Sequence, residues 1–173
     1  MRTIIEVVSA SQHLRTAPEP PGCLTSDLGW LLSRVSHALA TESTAALEES
    51  GISPRGHSVL AAAMTGEYAQ TELARMVGLD KTTMVVTVDD LEAQGLVERR
   101  PSKSDRRARL IKVTKEGRRR VEVADGVLDR VREDVLGALP EEEREIFVRA
   151  LGRLACGRLA EPVFCAQPVR RRG

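Results

Sequence analysis

The side chains with the clearest chemical potential in this chain are cations crowded into one short stretch. Between Arg99 and Arg120 there are eleven Lys or Arg residues against two acidic ones, Asp105 and Glu116, a local charge of +9. The whole chain carries +1, so the remaining residues carry −8. Cations confined to one segment of an otherwise acidic chain indicate a surface that binds a polyanion. The alternative is a solvated basic loop that binds nothing.

The residues just before these cations predict two short helices joined by a tight turn. The first runs from about 71 to 77, and Gly78 follows where a left-handed residue commonly ends a helix. Asp80 can cap the second helix by accepting hydrogen bonds from its first N–H groups, and Gly95 ends it. Apolar residues recur at helical spacing, namely Leu73, Ala74 and Val77, then Met84, Val88 and Leu91. This pattern predicts a helix-turn-helix.

A β-hairpin is predicted to follow the second helix. Residues 96–100 and 109–113 are short runs rich in Val, Ile and Leu, which favour strands. Between them lies PSKSDRRA, whose Pro, Ser and Asp are typical of a loop. The hairpin would form a basic wing beside the helix-turn-helix.

A resemblance to the MarR family of winged helix-turn-helix repressors is carried by GLDKTTMVVTVDDLEAQGLVERRPSKSDRRARLIKVTKEG. The family signature is a DxR wing followed by a strand and a helix that starts with Thr-x-x-Gly. Asp105, Arg107, Thr114 and Gly117 match it. The resemblance is sharp from about residue 72 to 117 and looser, with a consistent helix order, from about 28 to 159.

The resemblance implies a mainly α fold: a winged helix-turn-helix with a small β-hairpin wing and a helical dimerisation region. It also implies a sequence-specific regulator of transcription, a repressor, that binds double-stranded DNA as a homodimer on a pseudo-palindromic operator. The expected segments are an N-terminal extension (1–22), a dimerisation helix and support helix (23–65), the DNA-binding domain (66–114), C-terminal linker and dimerisation helices (115–161) and a tail (162–173).

The second helix should lie in the major groove, and its DNA-facing side chains would be Lys81, Thr82, Thr83, Val85 and Val86. Threonine hydroxyls reach phosphates or base edges, and valine packs on the thymine methyl group. Val86 stands where many relatives carry Arg, and Asp90 where another basic residue is common, so guanine readout stays open. The alternative is that both valines belong to the core.

The wing would supply a second set of DNA contacts, which are Lys103, Asp105, Arg106 and Arg107. By the resemblance, Arg107 enters the minor groove, and Asp105 holds it through a charge-assisted hydrogen bond. The alternative for Asp105 is ordinary turn chemistry, because Asp is common in such loops.

Helix start signals also flank the predicted DNA-binding domain. Ser26, with Asp27 in the first turn, should begin a long helix; Ser53 and Pro54 should begin the next, and Thr114 another long one. In the helix after Pro54, the inward side chains should be Val59, Leu60, Ala63 and Met64.

Two apolar stripes predict a homodimer. They comprise Leu28, Leu31, Leu32, Val35, Leu39 and Ala46 on the first long helix, and Ile146, Phe147, Ala150, Leu151 and Leu154 on the last. These stripes are longer than a small winged domain can cover, so a second copy should cover them.

Control of DNA release is expected to come from a small aromatic or phenolic effector. By the resemblance, the candidate contacts are Trp30, Arg34, His37 and His57, which lie on helices that border the family's cleft. Each has an ordinary alternative, because a lone Trp is more often core and a lone His more often a surface or hydrogen-bonded residue.

The cysteines offer a competing mode of control. Cys23 precedes the first long helix, and Cys156 lies late in the last. By the resemblance, dimers of the family bring these two helices together across subunits, which would allow a redox-sensing disulfide. Against it, the family's one-cysteine sensors place tyrosines near the thiol, and the single tyrosine here is Tyr68. The three cysteines follow no zinc spacing, and we expect no metal, no cofactor and a cytoplasmic protein.

Other function classes fit the sequence less well. The chain lacks GxGxxG, Walker A, GxSxG and HExxH motifs, so we expect no enzyme. No segment is long and apolar enough to predict a membrane span. A winged domain that binds protein and not DNA is the remaining alternative, and the basic wing argues against it.

Overall fold

The structure is a computed structural model that describes residues 19–101 and 109–161. Its chain divides into two compact units, Met1–Ala40 and Thr41–Gly173. The described elements are mainly helical with a small antiparallel sheet, which confirms the predicted fold class. No helix among the described residues is long and apolar enough to cross a membrane.

A short helix and a long helix begin the described chain. Helix α1 spans Gly22–Thr25, and helix α2 spans Leu28–Ala46. The carboxylate of Asp27 accepts a hydrogen bond from the backbone N–H of Trp30 at 2.6 Å. The predicted start at Ser26 was therefore wrong by one residue: Ser26 ends α1, and Asp27 has the spacing that satisfies an N–H group of the first turn of α2.

The apolar core lies in the second unit. Helix α3 spans Pro54–Ala63, and the Ser53 hydroxyl caps it by accepting from the N–H of Gly56 at 3.1 Å. Val59, Leu60 and Ala63 are buried as predicted. Met64 is not: it follows the last residue of α3 and is 36% exposed, so its predicted inward position was wrong.

The predicted helix-turn-helix is present. Helix α4 spans Gln70–Val77, and helix α5 spans Lys81–Ala93. Gly78, between them, has a φ of 69°, the left-handed backbone that glycine adopts without a steric penalty. On the inner side of these two helices, the buried side chains are Leu73, Ala74, Met84, Thr87, Val88 and Leu91.

The sheet has three strands in place of the predicted two-stranded hairpin. Strands β2 (Val97–Pro101) and β3 (Arg109–Val113) form the expected antiparallel pair. Strand β1 (Tyr68–Ala69) joins the other edge of β3, where Tyr68 pairs with Ile111. The prediction treated residues 66–69 as a link, because a strand this short has no alternating pattern of its own.

Two helices complete the second unit. Helix α6 spans Lys115–Gly137 and helix α7 spans Glu141–Arg153, followed by a π-helical turn at Leu154–Arg158. Thr114 caps α6 by accepting from the N–H of Gly117 at 3.0 Å, as predicted. Helix α7 contains no buried residue, and its apolar side chains are exposed.

Candidate nucleic-acid interface

The outer face of α5 carries the side chains predicted to meet DNA bases. Lys81 and Thr82 are exposed, Val85 is 37% exposed and Val86 is 55% exposed. Neither valine therefore belongs to the core. Met84, Thr87, Val88 and Leu91 hold the opposite face of α5 against the rest of the unit. The helix thus presents two uncovered apolar side chains on its outer face.

Thr83 differs from its neighbours because its hydroxyl already has a partner. It donates to the Asp80 carboxylate at 2.6 Å, and that carboxylate also accepts from the backbone N–H groups of Thr82 and Thr83. The hydroxyl of Thr83, followed by these N–H groups, lowers the pKa of Asp80 below its usual 3.8. Thr83 is therefore part of the N-terminal cap of α5, whatever further contact it makes.

Arg99 joins the wing to α5. Its guanidinium donates to the carboxylates of both Asp89 and Glu92, and its backbone N–H donates to Glu92 Oε1 at 3.2 Å. Partial burial acts to lower the pKa of Arg99, but the two carboxylates outweigh it and raise that pKa. Arg99 therefore stays cationic and fixes the outer edge of α5 to strand β2.

Several other cations of the basic stretch are also paired. Arg100 donates to Glu98 at 2.7 Å, and the guanidinium groups of Arg119 and Arg120 share the Glu116 carboxylate. Hydrogen bonds and charge from these two arginines lower the pKa of Glu116 to about 2. Arg120 also donates to the backbone oxygen of Ser50, which serves the fold.

The local charge of +9 therefore overstates the positive field. Extending the stretch back to Asp89 takes in four more acidic residues, so that eleven cations face six carboxylates and the charge is +5. Within residues 19–101 and 109–161, the exposed cations near the sheet that have no side-chain partner are Lys112, Lys115 and Arg118. These cations lie on β3 and the first turn of α6.

The predicted wing contacts Lys103, Asp105, Arg106 and Arg107 lie outside the described residues. The strands on either side of them are antiparallel partners, with Pro101 paired to Arg109. The structure thus describes the base of the wing, and the roles of the four predicted contacts stay predictions.

Three of the four predicted effector contacts lie together on α2. Trp30, Arg34 and His37 recur at helical spacing and line a shallow pocket of about 400 Å³ with Ser33 and Ala38. The guanidinium carbon of Arg34 lies 5.5 Å from the centroid of the Trp30 ring, a cation–π geometry. The pocket thus places an aromatic face beside a cation.

His57 lies in the other compact unit, on α3. Its Nε2 is 2.7 Å from Asp125 Oδ1 on α6, and its side chain is 15% exposed. His57 is therefore a hydrogen-bonded histidine, which is the alternative to an effector contact that the sequence left open. Asp125 also lines a cleft of about 710 Å³ along the start of α6, together with Met64, Lys115, Glu116, Arg118, Arg119, Val121 and Glu122. Sequence reasoning missed this cleft, because it placed Met64 in the core.

The cysteines and the candidate metal ligands add little chemistry. Cys23 and Cys156 are both free and exposed. No group of three or more His, Cys, Asp or Glu side chains suited to a metal ion occurs in the part of the chain that the structure describes.

Comparisons with known proteins agree with this geometry. A family model described as the MarR family matches residues 50–108. A transcriptional regulator of the MarR family from Rhodococcus sp. RHA1 is 33% identical, with a TM-score of 0.71 over 76% of this chain and 94% of that one. CouR from Rhodococcus jostii RHA1 bound to p-coumaroyl-CoA is 33% identical, with a TM-score of 0.67 over 82% and 97%. CouR bound to a 23-mer DNA duplex is 26% identical, with a TM-score of 0.73 over 80% and 99%.

Proposed function

The chain belongs to the MarR family of transcriptional regulators, and from this premise we propose that it represses transcription by binding a specific DNA duplex as a homodimer. The observation that carries the proposal is the outer face of α5, where Thr82, Val85 and Val86 stand exposed beside the basic strands of the wing. In this role α5 enters the major groove, and the wing neutralises phosphates. CouR, a relative by fold and sequence, is known in a complex with a 23-mer duplex.

Two uncovered apolar surfaces support the homodimer. On α2 the exposed side chains are Leu28, Leu31, Val35 and Leu39, and on α7 and the turn after it they are Ile146, Phe147, Val148, Leu151 and Leu154. In a single chain these apolar side chains are exposed to water. Dimerisation would bury them, and each methylene group removed from water stabilises the dimer by about 0.8 kcal/mol. Two copies related by a two-fold axis carry two α5 helices, so the operator is pseudo-palindromic with half-sites about one helical turn apart.

The effector that releases DNA is proposed to be a small aromatic or phenolic compound. Trp30 offers a ring for stacking, and Arg34 offers a cation for an acidic group. One relative, CouR, binds p-coumaroyl-CoA, which carries a phenolic acyl group. A ligand that prefers one spacing of the two DNA-binding domains shifts the dimer away from its DNA-bound form.

A cysteine-based redox regulator of the same fold is the second candidate. It is favoured by one observation, that the thiols of Cys23 and Cys156 are both exposed and free. Exposure allows oxidation but does not by itself make a thiol reactive.

The salt dependence of DNA binding tests the central proposal. The duplex is selected in vitro from a randomised library with the wild-type protein, and affinity is measured by fluorescence anisotropy over a range of salt concentrations. Replacing both Arg106 and Arg107 with Ala should weaken binding and flatten the slope of log affinity against log salt by about one unit for each phosphate that is no longer neutralised. In the matched control, Ala replaces both Arg130 and Arg132, which are exposed cations on α6 outside the basic stretch.

Each outcome of this experiment bears on the proposal. The control variant should keep the wild-type slope to within about half a unit, since its cations contact no phosphate. If the wing variant keeps both slope and affinity, the wing does not bind DNA. If the wild type enriches no sequence from the library, the chain is not a sequence-specific regulator.

A further inference from the structure

One side chain in the middle of the outer face of α5 has the wrong charge for DNA. Thr82, Val86 and Asp89 follow one another at spacings of four and three residues, so they form a single line along the helix. Val86 is 55% exposed, and the side chain of Asp89 is 57% exposed. A helix that puts Thr82 and Val86 into the groove therefore also brings the Asp89 carboxylate toward the phosphates.

The helix as a whole is anionic. Between Lys81 and Ala93 it has one cation, Lys81, against Asp89, Asp90 and Glu92, a net charge of −2. Two unit charges about 7 Å apart in water repel by roughly 0.6 kcal/mol, and a dimer repeats each such pair at two half-sites. Unless these carboxylates are neutralised, α5 opposes the binding that the wing supports.

Arg99 pairs with two of the three carboxylates at once and offsets one of their two negative charges. Its guanidinium reaches Asp89 with one terminal nitrogen and Glu92 with the other, and its side chain is 24% exposed. The residue sits on β2, between Glu98 and Arg100, so the same contact fixes the base of the wing to α5. A planar guanidinium can serve two carboxylates in this way, whereas an ammonium group is a single point charge.

We propose that Arg99 is a positioning residue for DNA binding: it withdraws the Asp89 and Glu92 carboxylates from the phosphates and holds the wing in register with α5. The inference rests on the proposed function, because it concerns the same surface. Arg99 then affects DNA binding through two acidic residues and does not itself contact a phosphate.

The chain offers one matched control for the carboxylates of this ion pair and one for its arginine. Asp90 is an exposed carboxylate on the same helix that has no side-chain partner within residues 19–101 and 109–161. Arg100 is the next residue after Arg99, and its carboxylate partner, Glu98, lies on its own strand. Neither control residue joins β2 to α5.

The first measurement is the DNA affinity of single variants on the selected duplex at low salt, with thermal unfolding to confirm that each variant folds. Arg99→Ala should lose on the order of tenfold in affinity, because it uncovers two carboxylates at each half-site. Arg100→Ala loses the same formal charge and should lose less than about threefold. If Arg99→Ala does not fold, Arg99→Lys replaces it, and a smaller loss of the same kind is expected.

The second measurement asks whether Arg99 acts through its partners. Asp89→Asn with Glu92→Gln should recover most of the roughly tenfold loss in the Arg99→Ala background. It should improve wild-type affinity by less, about threefold, since Arg99 already holds both carboxylates and offsets one of their two charges. Asp90→Asn removes an unpaired carboxylate and should improve affinity by the same factor, about threefold, in both backgrounds.

Two results would overturn the inference. In the first, the Asp89/Glu92 pair of substitutions has the same effect in both backgrounds, which means that only total charge matters. In the second, the Arg99→Ala loss is not recovered and the salt slope falls by about one unit per half-site, which means that Arg99 contacts phosphate itself. A wild type that binds no selected duplex would instead refute the proposed function, and this inference with it.

Discussion

The carbonyl oxygen of Leu96 lies so close to Gly117 that a β-carbon at position 117 would meet it at 2.2 Å. The same oxygen accepts a hydrogen bond from the backbone N–H of Thr114 at 3.0 Å, and the Thr114 hydroxyl donates to the backbone oxygen of Gly95 at 2.8 Å. The turn after α5 and the first turn of α6 are thus packed backbone against backbone.

Gly117→Ala should therefore destabilise the protein. The added methyl group has to displace the backbone at Leu96, and this outweighs the better helix propensity of alanine, so the free energy of unfolding should fall by about 1–3 kcal/mol. Urea unfolding measures the change. Gly126→Ala is the control, because a β-carbon at Gly126 in the same helix meets nothing within 4 Å. It should be neutral or stabilising by up to about 1 kcal/mol.

Acid should remove the contribution of the Asp80 cap. The pKa of Asp80 is lowered in the folded state from 3.8, so the carboxylate favours folding above about pH 3.8, and this contribution is lost as the pH falls through the lowered folded value. Asp80→Asn can still accept hydrogen bonds but does not titrate. Below pH 4 the wild type should lose unfolding free energy more steeply than this variant.

The Asp80 experiment contains its own internal control. The pKa of Glu116 is also lowered, to about 2 from 4.5, so Glu116 titrates in the same acid range in both proteins. Only the difference between their urea unfolding curves reports on Asp80. Parallel pH profiles from pH 7 to pH 3 would show that the cap contributes no pH-dependent stability.

The apolar face of α7 is expected to hold the dimer together. Phe147→Asp with Leu151→Asp places two carboxylates where Phe147 is 44% and Leu151 41% exposed in the single chain. The dimer dissociation constant should rise at least about thirtyfold, as for the loss of one interface hot spot. Sedimentation velocity at micromolar concentration measures it.

Arg149→Asp is the control for the α7 variant. Arg149 lies two residues after Phe147, on the other side of the helix, and pairs with Glu145 at 3.8 Å. This variant should stay dimeric. A wild type that sediments as a stable folded monomer would contradict the dimer outright.

Small-molecule control and thiol control predict opposite results. An aromatic or phenolic effector present at about 100 times its Kd should raise the unfolding free energy by about 2.7 kcal/mol and weaken DNA binding. Trp30→Ala or Arg34→Ala should reduce both effects without changing DNA affinity when the effector is absent. Differential scanning with p-coumaroyl-CoA and simple phenolic acids provides the screen.

The cysteine variants decide between the two modes of control. Under small-molecule control, peroxide leaves DNA binding unchanged in the wild type and in Cys23→Ser. If peroxide releases DNA from the wild type but not from Cys23→Ser or Cys156→Ser, the redox mechanism is correct.

Features that depend on neighbouring residues were predictable from the sequence. The caps at Asp80, Ser53 and Thr114 each satisfy N–H groups two or three residues further on, so the residue type and its spacing were enough to predict them. The left-handed backbone of Gly78 at the end of α4 was predictable, because few other residues adopt that conformation at a helix end. Helical periodicity favoured an outward position for Val86 but left a core position open, and the structure decided between them, because Val86 is 55% exposed.

Features that join distant segments were decided by the tertiary structure alone. Strand β1 exists because Tyr68 meets Ile111 across the sheet, and a two-residue strand carries no pattern of its own. Counting charges along the chain included Arg99 in the basic stretch, but folding brings its guanidinium onto Asp89 and Glu92. A side chain's type and spacing determine what it can bind, whereas the packing of β2 against α5 determines what it does bind, because ion pairing requires approach within a few ångströms.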